Sequence, residues 1–156
     1  MEFKTRELTL EDAKRIYDWV YTGECSVYNL PSYEVAEKLR FGLTVPELRK
    51  KEFLAFESED VFFAFGRIKI KKDKVYLGIG IAPDLCGKGY GKMLMLQLIK
   101  EAKIRYPDKK ICLAVRVFNL RAKKCYMSVG FKVVEIVKIK TPSGEDSFYD
   151  MEYGVE

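Results

Sequence analysis

Gly87, Gly89 and Gly91 occupy every second position of the run Cys86-Gly87-Lys88-Gly89-Tyr90-Gly91-Lys92. The run lies between an apolar stretch ending in Ile79-Gly80-Ile81 and a long segment with apolar residues at helical spacing. Glycine lacks a Cβ, so such a turn reaches backbone shapes closed to other residues and lets a ligand approach closely. At a helix N-terminus it also offers unpaired N–H groups and the positive end of the helix dipole, a cradle for phosphate. Two nucleotide-binding patterns fail here. A Walker loop requires Ser or Thr after Gly91-Lys92, where Met93 stands, and glycine five residues before Gly91, where Cys86 stands. The dinucleotide fingerprint requires glycine at the position held by Lys92.

The chain has no histidine. That removes Ser-His-Asp and Cys-His catalysis and the usual general base near neutral pH. Proton transfer falls to Tyr, Cys, Lys, a carboxylate or water. Cys25, Cys86, Cys112 and Cys125 form no Cys-x-x-Cys pair, so reduced thiols and no metal site are expected. A net charge of +5 suits an anionic ligand but is modest for a nucleic-acid binder. The Lys-rich spots (Lys69 to Lys74, Lys109-Lys110, Lys123-Lys124) read as strand ends and a solvated helix face, with no nucleic-acid partner.

These residues need a scaffold. With 156 residues, 48% of them hydrophobic, the chain reads as one domain, 1–156, with a sizeable core. The stretches Val61 to Phe65 and Met93 to Ile99 are too short to span a bilayer, and no basic-then-apolar leader opens the chain. The expected setting is the cytoplasm, with no membrane partner. Phe3 to Leu8 reads as a strand, and Thr9 with Asp12 as a capping box opening a helix through Ala13, Ile16, Tyr17 and Val20. Gly23 to Leu30 reads as loop. Ser32 caps a second short helix through Val35, Ala36 and Leu39, and Pro46 opens a third helical piece. Strands follow at Glu52 to Glu57, Val61 to Ile70 and Lys74 to Ala82. After the glycine loop come a helix from about Gly89 to Arg105, a strand from Ile111 to Val117, and a helix from Asn119 to Val129 closed by Gly130. Val133 to Lys140 and Ser147 to Tyr153 form a closing hairpin around Pro142-Ser143-Gly144. The order predicts an α/β fold: a mixed sheet covered by helices, with the loop at the carboxyl end of the strand feeding a crossover. On that strand Val75, Leu77, Ile79 and Ile81 point one way and Tyr76, Gly78, Gly80 and Ala82 the other. The two glycines mark close approach by a ligand arm or by packed protein, and both stay open at this point.

The loop resembles the phosphate loop of the GNAT family of N-acetyltransferases, Arg/Gln-x-x-Gly-x-Gly/Ala, at Gly89 and Gly91, with Gly87 and Lys88 matching its common form. It departs at Cys86, where the family prefers Arg or Gln. A second stretch, Asn119-Leu120-Arg121-Ala122-Lys123-Lys124-Cys125-Tyr126-Met127-Ser128-Val129-Gly130-Phe131, is similar to the family's N-x-x-A-x-x-x-Y-x-x-x-G-F segment. The separation of the two motifs and the order of elements match the family over nearly the whole chain.

The resemblance implies the GNAT fold, acetyl-CoA as acetyl donor with no metal, and an amine-bearing small molecule or a peptide N-terminus as acceptor. A second copy of the chain is an allowed partner. It implies that Cys86, Gly87, Lys88, Gly89, Tyr90, Gly91 and Lys92 hold the pyrophosphate, that Ile79, Gly80 and Ile81 line the thioester arm, and that Tyr126 protonates the departing thiolate. Asn119 either touches the ligand or caps its helix. The thiol of Cys86, near a helix N-terminus, is open to a redox role. The strand before the loop carries no carboxylate for a general base, and no spacing selects among Glu57, Glu59 and Asp150. That gap and Cys86 leave room for a second reading, an acyl-CoA-binding or regulatory module without catalysis. The family's acceptor zone takes in Trp19, Tyr21, Tyr28, Tyr33 and Phe41, most of which core packing also explains.

Overall fold

The computed structural model describes residues 2–154. Seven strands and five α-helices follow in the order β1 (Lys4–Glu7), α1 (Leu10–Asp18), α2 (Tyr33–Lys38), α3 (Pro46–Glu52), β2 (Phe53–Ser58), β3 (Val61–Lys71), β4 (Lys74–Ile81), α4 (Tyr90–Arg105), β5 (Lys110–Arg116), α5 (Leu120–Ser128), β6 (Phe131–Thr141) and β7 (Gly144–Tyr153). The stretch expected as loop after α1 forms a 3-10 helix, Gly23–Tyr28, and the piece opened by Pro46 is a full α-helix. The strands form one mixed sheet ordered β1-β2-β3-β4-β5-β7-β6, with β4 and β5 parallel and β7 inserted antiparallel between β5 and β6.

The chain forms two compact units, one holding the residues up to Gly66 with Gly80–Lys88, the other Arg67–Ile79 with the residues from Gly89 onward. In the first, Leu8, Ala13, Ile16, Tyr17, Ala36, Leu43, Phe53, Ala55 and Phe62 make one buried cluster, with Trp19, Tyr33, Phe41 and Phe65 against it. Trp19 stacks on Phe62 and Phe65, and Tyr33 meets Tyr17 edge-on, so these rings of the expected acceptor zone are core. Of the apolar positions expected on α2, only Ala36 is buried; a six-residue helix is too short for its spacing to settle a face. In the second unit the buried set includes Val75, Leu77, Leu94, Met95, Leu98, Ile99, Leu113, Val115, Phe131 and Met151.

α1 starts where Thr9 and Asp12 form the expected capping box: Thr9 Oγ1 accepts from the Asp12 amide, and Asp12 Oδ2 accepts from the Thr9 amide. Asp12 does more. Its buried carboxylate takes two bonds from the Arg6 guanidinium, at 2.6 and 3.1 Å, while Arg6 Nε reaches Glu57 at 2.7 Å. Burial alone pushes the Asp12 carboxyl up, but Arg6 and the Thr9 bonds outweigh it and hold it below the usual value. The Arg6 and Lys4 bonds do the same to Glu57. Carboxyls depressed in the folded state bind protons on unfolding, so their contribution is full above the ordinary carboxylate pKa and fades as pH falls through the folded values. Arg6→Met leaves the Asp12 charge buried without its partner. Allowing for the part-exposed guanidinium, the expected cost is about 2 kcal/mol, or about 5 °C in Tm at pH 7. Calorimetry from pH 7 to pH 3 checks this: the deficit should shrink toward the acid end.

Candidate functional site

The parallel register between β4 and β5 runs Lys74↔Lys110, Val75↔Ile111 and Tyr76↔Cys112. Among the described residues no further pair continues it, although β4 runs on to Ile81 and β5 to Arg116. Beyond Tyr76 the two strands therefore part like a wedge. On β4 the main-chain groups of odd-numbered residues such as Leu77 and Ile79 are those directed toward the β5 side, since the Ala82 amide turns toward β3. β5 stays anchored on its other side, where Cys112 to Arg116 pair with Phe148 to Glu152 of β7. An extended polar arm of the right length would complete the broken ladder as a strand does.

At the end of β4, within the first unit, the Ala82 amide donates to the Phe63 carbonyl of β3 at 2.8 Å. The carbonyl of the same peptide, on Ile81, points the opposite way, off the β3 side. There it accepts the Tyr21 hydroxyl at 2.6 Å and the Cys86 thiol at 3.5 Å. Tyr21 is itself clamped: Asn29 Oδ1 accepts from its amide at 2.7 Å and Asn29 Nδ2 donates to its carbonyl at 3.0 Å. Burial, with the nearby Cys86 and Cys25 thiols, pushes the Tyr21 phenol well above its usual range, so it is a standing donor at neutral pH. The one ring of the expected acceptor zone that bonds the strand end is thus Tyr21. Nothing in the local sequence marks it, because its partner is 60 residues away.

The two β4 glycines answer differently. A Cβ on Gly80 would overlap the Phe65 ring, so packed protein fills that side and the ligand-arm alternative falls away there. A Cβ on Gly78 would meet nothing within 4 Å.

The loop glycines also divide. Gly87 (φ 74°) and Gly89 (φ 86°) are exposed and left-handed, the backbone that only glycine takes at little cost. Gly89 is the N-cap of α4 and has open space where a Cβ would stand. Gly91 is inside the helix, where an added Cβ would sit 3.6 Å from Cys125 Sγ and 3.8 Å from Ile79 Cδ1, ordinary contacts. The helix start expected near Gly89 puts it there, and it lies at the α4–α5 contact. Lys88 and Lys92 are exposed, and Tyr90 is half-buried. Cys86 ends the short 3-10 turn Pro83–Leu85 and turns its thiol back onto the Ile81 and Ala82 carbonyls.

α5 begins at Asn119, whose Oδ1 accepts the Ala122 amide at 3.2 Å; the capping role is the one the geometry supports. Tyr126, half-buried on this helix, sets its ring edge-on to Phe131. Its neighbour Cys125 touches the Gly91 position, so the second unit brings the tyrosine helix against the first turn of α4. Burial pushes the Cys125 thiol up, which keeps it protonated at neutral pH.

Within the second unit, a strand pairing that stops after Tyr76 and a left-handed glycine at the start of a long helix suit a phosphorylated group with an extended amide arm. The sequence profile of the Acetyltransferase (GNAT) family matches residues 11–131. The chain belongs to the GNAT acetyltransferase family. It is an acetyltransferase whose donor is acetyl-CoA, and in the second unit the β4–β5 register, Gly89 and the α4 N-terminus fit that donor. No curated protein sequence matches significantly. Among solved structures, a chimera of the Vibrio cholerae spermidine N-acetyltransferase SpeG and hSSAT is similar at TM-score 0.76 and 19% identity, covering 98% of this chain and 95% of that one. The Escherichia coli ribosomal-protein-S18-alanine N-acetyltransferase is similar at TM-score 0.68 and 20% identity, covering 99% and 96%. The putative acetyltransferase yncA from Salmonella typhimurium, solved with acetyl-CoA, is similar at TM-score 0.64 and 16% identity, covering 99% and 94%. At these identities the likeness is one of fold. Among the described residues no helix is long and apolar enough to cross a membrane.

Proposed function

We propose that this GNAT protein transfers the acetyl group to a primary amine, on a small molecule or a peptide N-terminus, by direct attack of the amine on the thioester. The observation that carries this reading is the parallel β4–β5 register, which stops after Tyr76. Bound there, acetyl-CoA supplies a carbonyl carbon open to attack and a thiolate leaving group. Amide groups of Cys86 to Gly91 and the first turn of α4 hold the pyrophosphate, with the dipole of a 16-residue helix adding attraction. The main chain of Leu77 to Ile81 aligns the arm. Tyr126 gives its proton to the departing sulfur, since a phenol holds that proton at neutral pH. Cys86 serves through its main chain, its thiol being turned inward. On this reading residues 1–156 act as one catalytic domain.

Similar structures are named for spermidine and for an S18 alanine, so both amine classes belong in the test. Coenzyme A thiol release is measured with acetyl-CoA over a panel of polyamines, amino acids, aminoglycosides and N-terminal peptides, with mass spectrometry of the products. At least one primary amine should give amine-dependent release and an acetylated product. Acetyl-CoA binding with no turnover anywhere in a broad panel would favour the non-catalytic binding module instead.

A further inference from the structure

The general base left unassigned by the sequence has a geometric candidate, and the argument rests on the acetyl-transfer reading above. Tyr76 is the last β4 residue paired with β5, so its side chain stands at the apex of the wedge. Its hydroxyl donates to Asp150 Oδ1 of β7 at 3.3 Å, reaching across β5. Asp150 lies opposite Ala114, two residues past Cys112 along the part of β5 that β4 has left. Had the parallel register continued, Ala114 would have paired with Gly78, the residue with open space in place of a side chain. By strand alternation Tyr76, Gly78, Ala114 and Asp150 share one sheet face. Asp150 is therefore set about 7 Å past the apex, level with an uncovered stretch of the edge that holds the arm.

The other carboxylates are spoken for or remote in kind. Arg6 and Lys4 hold Glu57, Lys74 holds Glu152 at 3.2 Å, and Arg116 holds Asp146 at 2.8 Å. Glu59 is exposed in the β2–β3 turn. Asp150 is bonded by a neutral hydroxyl, which orients the carboxylate without cancelling its charge. Glu135 of β6 stands directly opposite it, and like charges so placed repel unless a cation joins them. Facing Asp150 from the neighbouring strands are Tyr76 and Lys74 of β4, Cys112 of β5 and Glu135 of β6, with Glu152 beside it on β7 and Lys71 of β3 over the Tyr76 ring. Lys74 is engaged by Glu152, and burial pushes the Cys112 thiol up to about 11, so neither competes for the incoming proton near neutral pH.

We propose that Asp150 is the general base of the transfer and Tyr76 the positioning residue that holds it. The acceptor arrives as an ammonium and gives one N–H proton to Asp150. The freed nitrogen forms the N–C bond, the C–S bond breaks, and the sulfur takes the Tyr126 proton. The nitrogen, cationic after the attack, gives up its second proton through water to the Tyr126 phenolate, and Asp150 returns the first to water, so one proton is released per transfer.

The test uses the full chain, acetyl-CoA, and spermidine and an alanyl peptide as acceptor probes beside any amine the panel identifies. Asp150→Asn should lower kcat about 100-fold at pH 7, with the acetyl-CoA Kd within about threefold of wild type. That deficit should shrink to under about tenfold as pH rises toward the pKa of the amine, about 8 for the alanyl peptide and about 10 for spermidine, because the acceptor then arrives deprotonated. Tyr76→Phe keeps the carboxylate and should cost about fivefold with the same pH trend, which covers the case of an Asp150→Asn chain that does not fold. A wild-type kcat in both variants, or a deficit constant across pH, overturns the assignment while leaving the transfer reading intact. A wild-type chain that binds acetyl-CoA and acetylates no amine overturns both.

Discussion

Tyr126→Phe should bind acetyl-CoA within about threefold of wild type and turn it over about 100-fold more slowly. The substitution deletes one hydroxyl and keeps the ring that packs edge-on against Phe131, so the helix loses no apolar contact. The α5 N-terminus keeps its Asn119 cap, and the Cys125 contact with the first turn of α4 is untouched. A Tm within about 2 °C of wild type is therefore expected, as for a change that opens no cavity. What is lost, on the proposed mechanism, is a proton donor for sulfur. A thiolate whose conjugate acid has a pKa near 8.5 is a tolerable leaving group unaided, so the reaction slows rather than stops. For the same reason the deficit should narrow with thioesters of more acidic thiols, which leave without help. Stopped-flow thiol release, calorimetric acetyl-CoA affinity and thermal melts separate the outcomes. An unchanged kcat removes Tyr126 from the mechanism; a parallel loss of affinity and turnover makes it a packing residue.

The parts of this molecule legible in its sequence are those whose cause is local. Thr9 and Asp12 announce the start of α1 because a capping box is complete within four residues, and Ser32 and Gly130 mark helix ends on the same scale. Gly87 and Gly89 could be read as left-handed turn residues because the strand before them and the helix after them are strongly patterned. Gly91 shares their spacing and not their backbone, since it lies past the α4 start expected near Gly89. The site itself is made by partners far apart. The wedge exists because β4 and β5 stop pairing after Tyr76 and Cys112, a register decided by how β7 takes the other edge of β5. The Tyr21 bond to Ile81 spans 60 residues and the Tyr76 bond to Asp150 spans 74, and neither leaves a periodic trace. On β6 an alternation argument would bury Val133 or Val134, yet both are exposed on the outermost strand, where a bulge breaks the pattern. Glycines on β4 signalled that something approaches; only the structure tells that Phe65 approaches Gly80 while Gly78 stays open.

Gly89→Ala should raise the acetyl-CoA Kd about 10- to 100-fold, the loss of one charge-assisted N–H bond at about 1.5–3 kcal/mol. Two effects combine at this residue. The left-handed backbone at φ 86° disfavours any Cβ, by about 1–2 kcal/mol. The methyl would also project into the space beside the α4 N-terminus that is clear to 4 Å, where a bound pyrophosphate must approach the amides. Gly144→Ala tells the two apart. Gly144 has φ 110° and the same open space, but it sits in the β6–β7 turn. Both variants should lose about 3 °C in Tm from backbone strain. Only Gly89→Ala should lose affinity, and its deficit should persist at temperatures well below either melting point. Gly91→Ala supplies the other limit, because its backbone is helical and the added methyl meets Cys125 at an ordinary 3.6 Å. It should keep both Tm and Kd within about threefold or 2 °C of wild type, alanine being the better helix former. Equal losses of affinity at Gly89 and Gly144 would show that strain spread through the fold, rather than access to the helix N-terminus, governs acetyl-CoA binding.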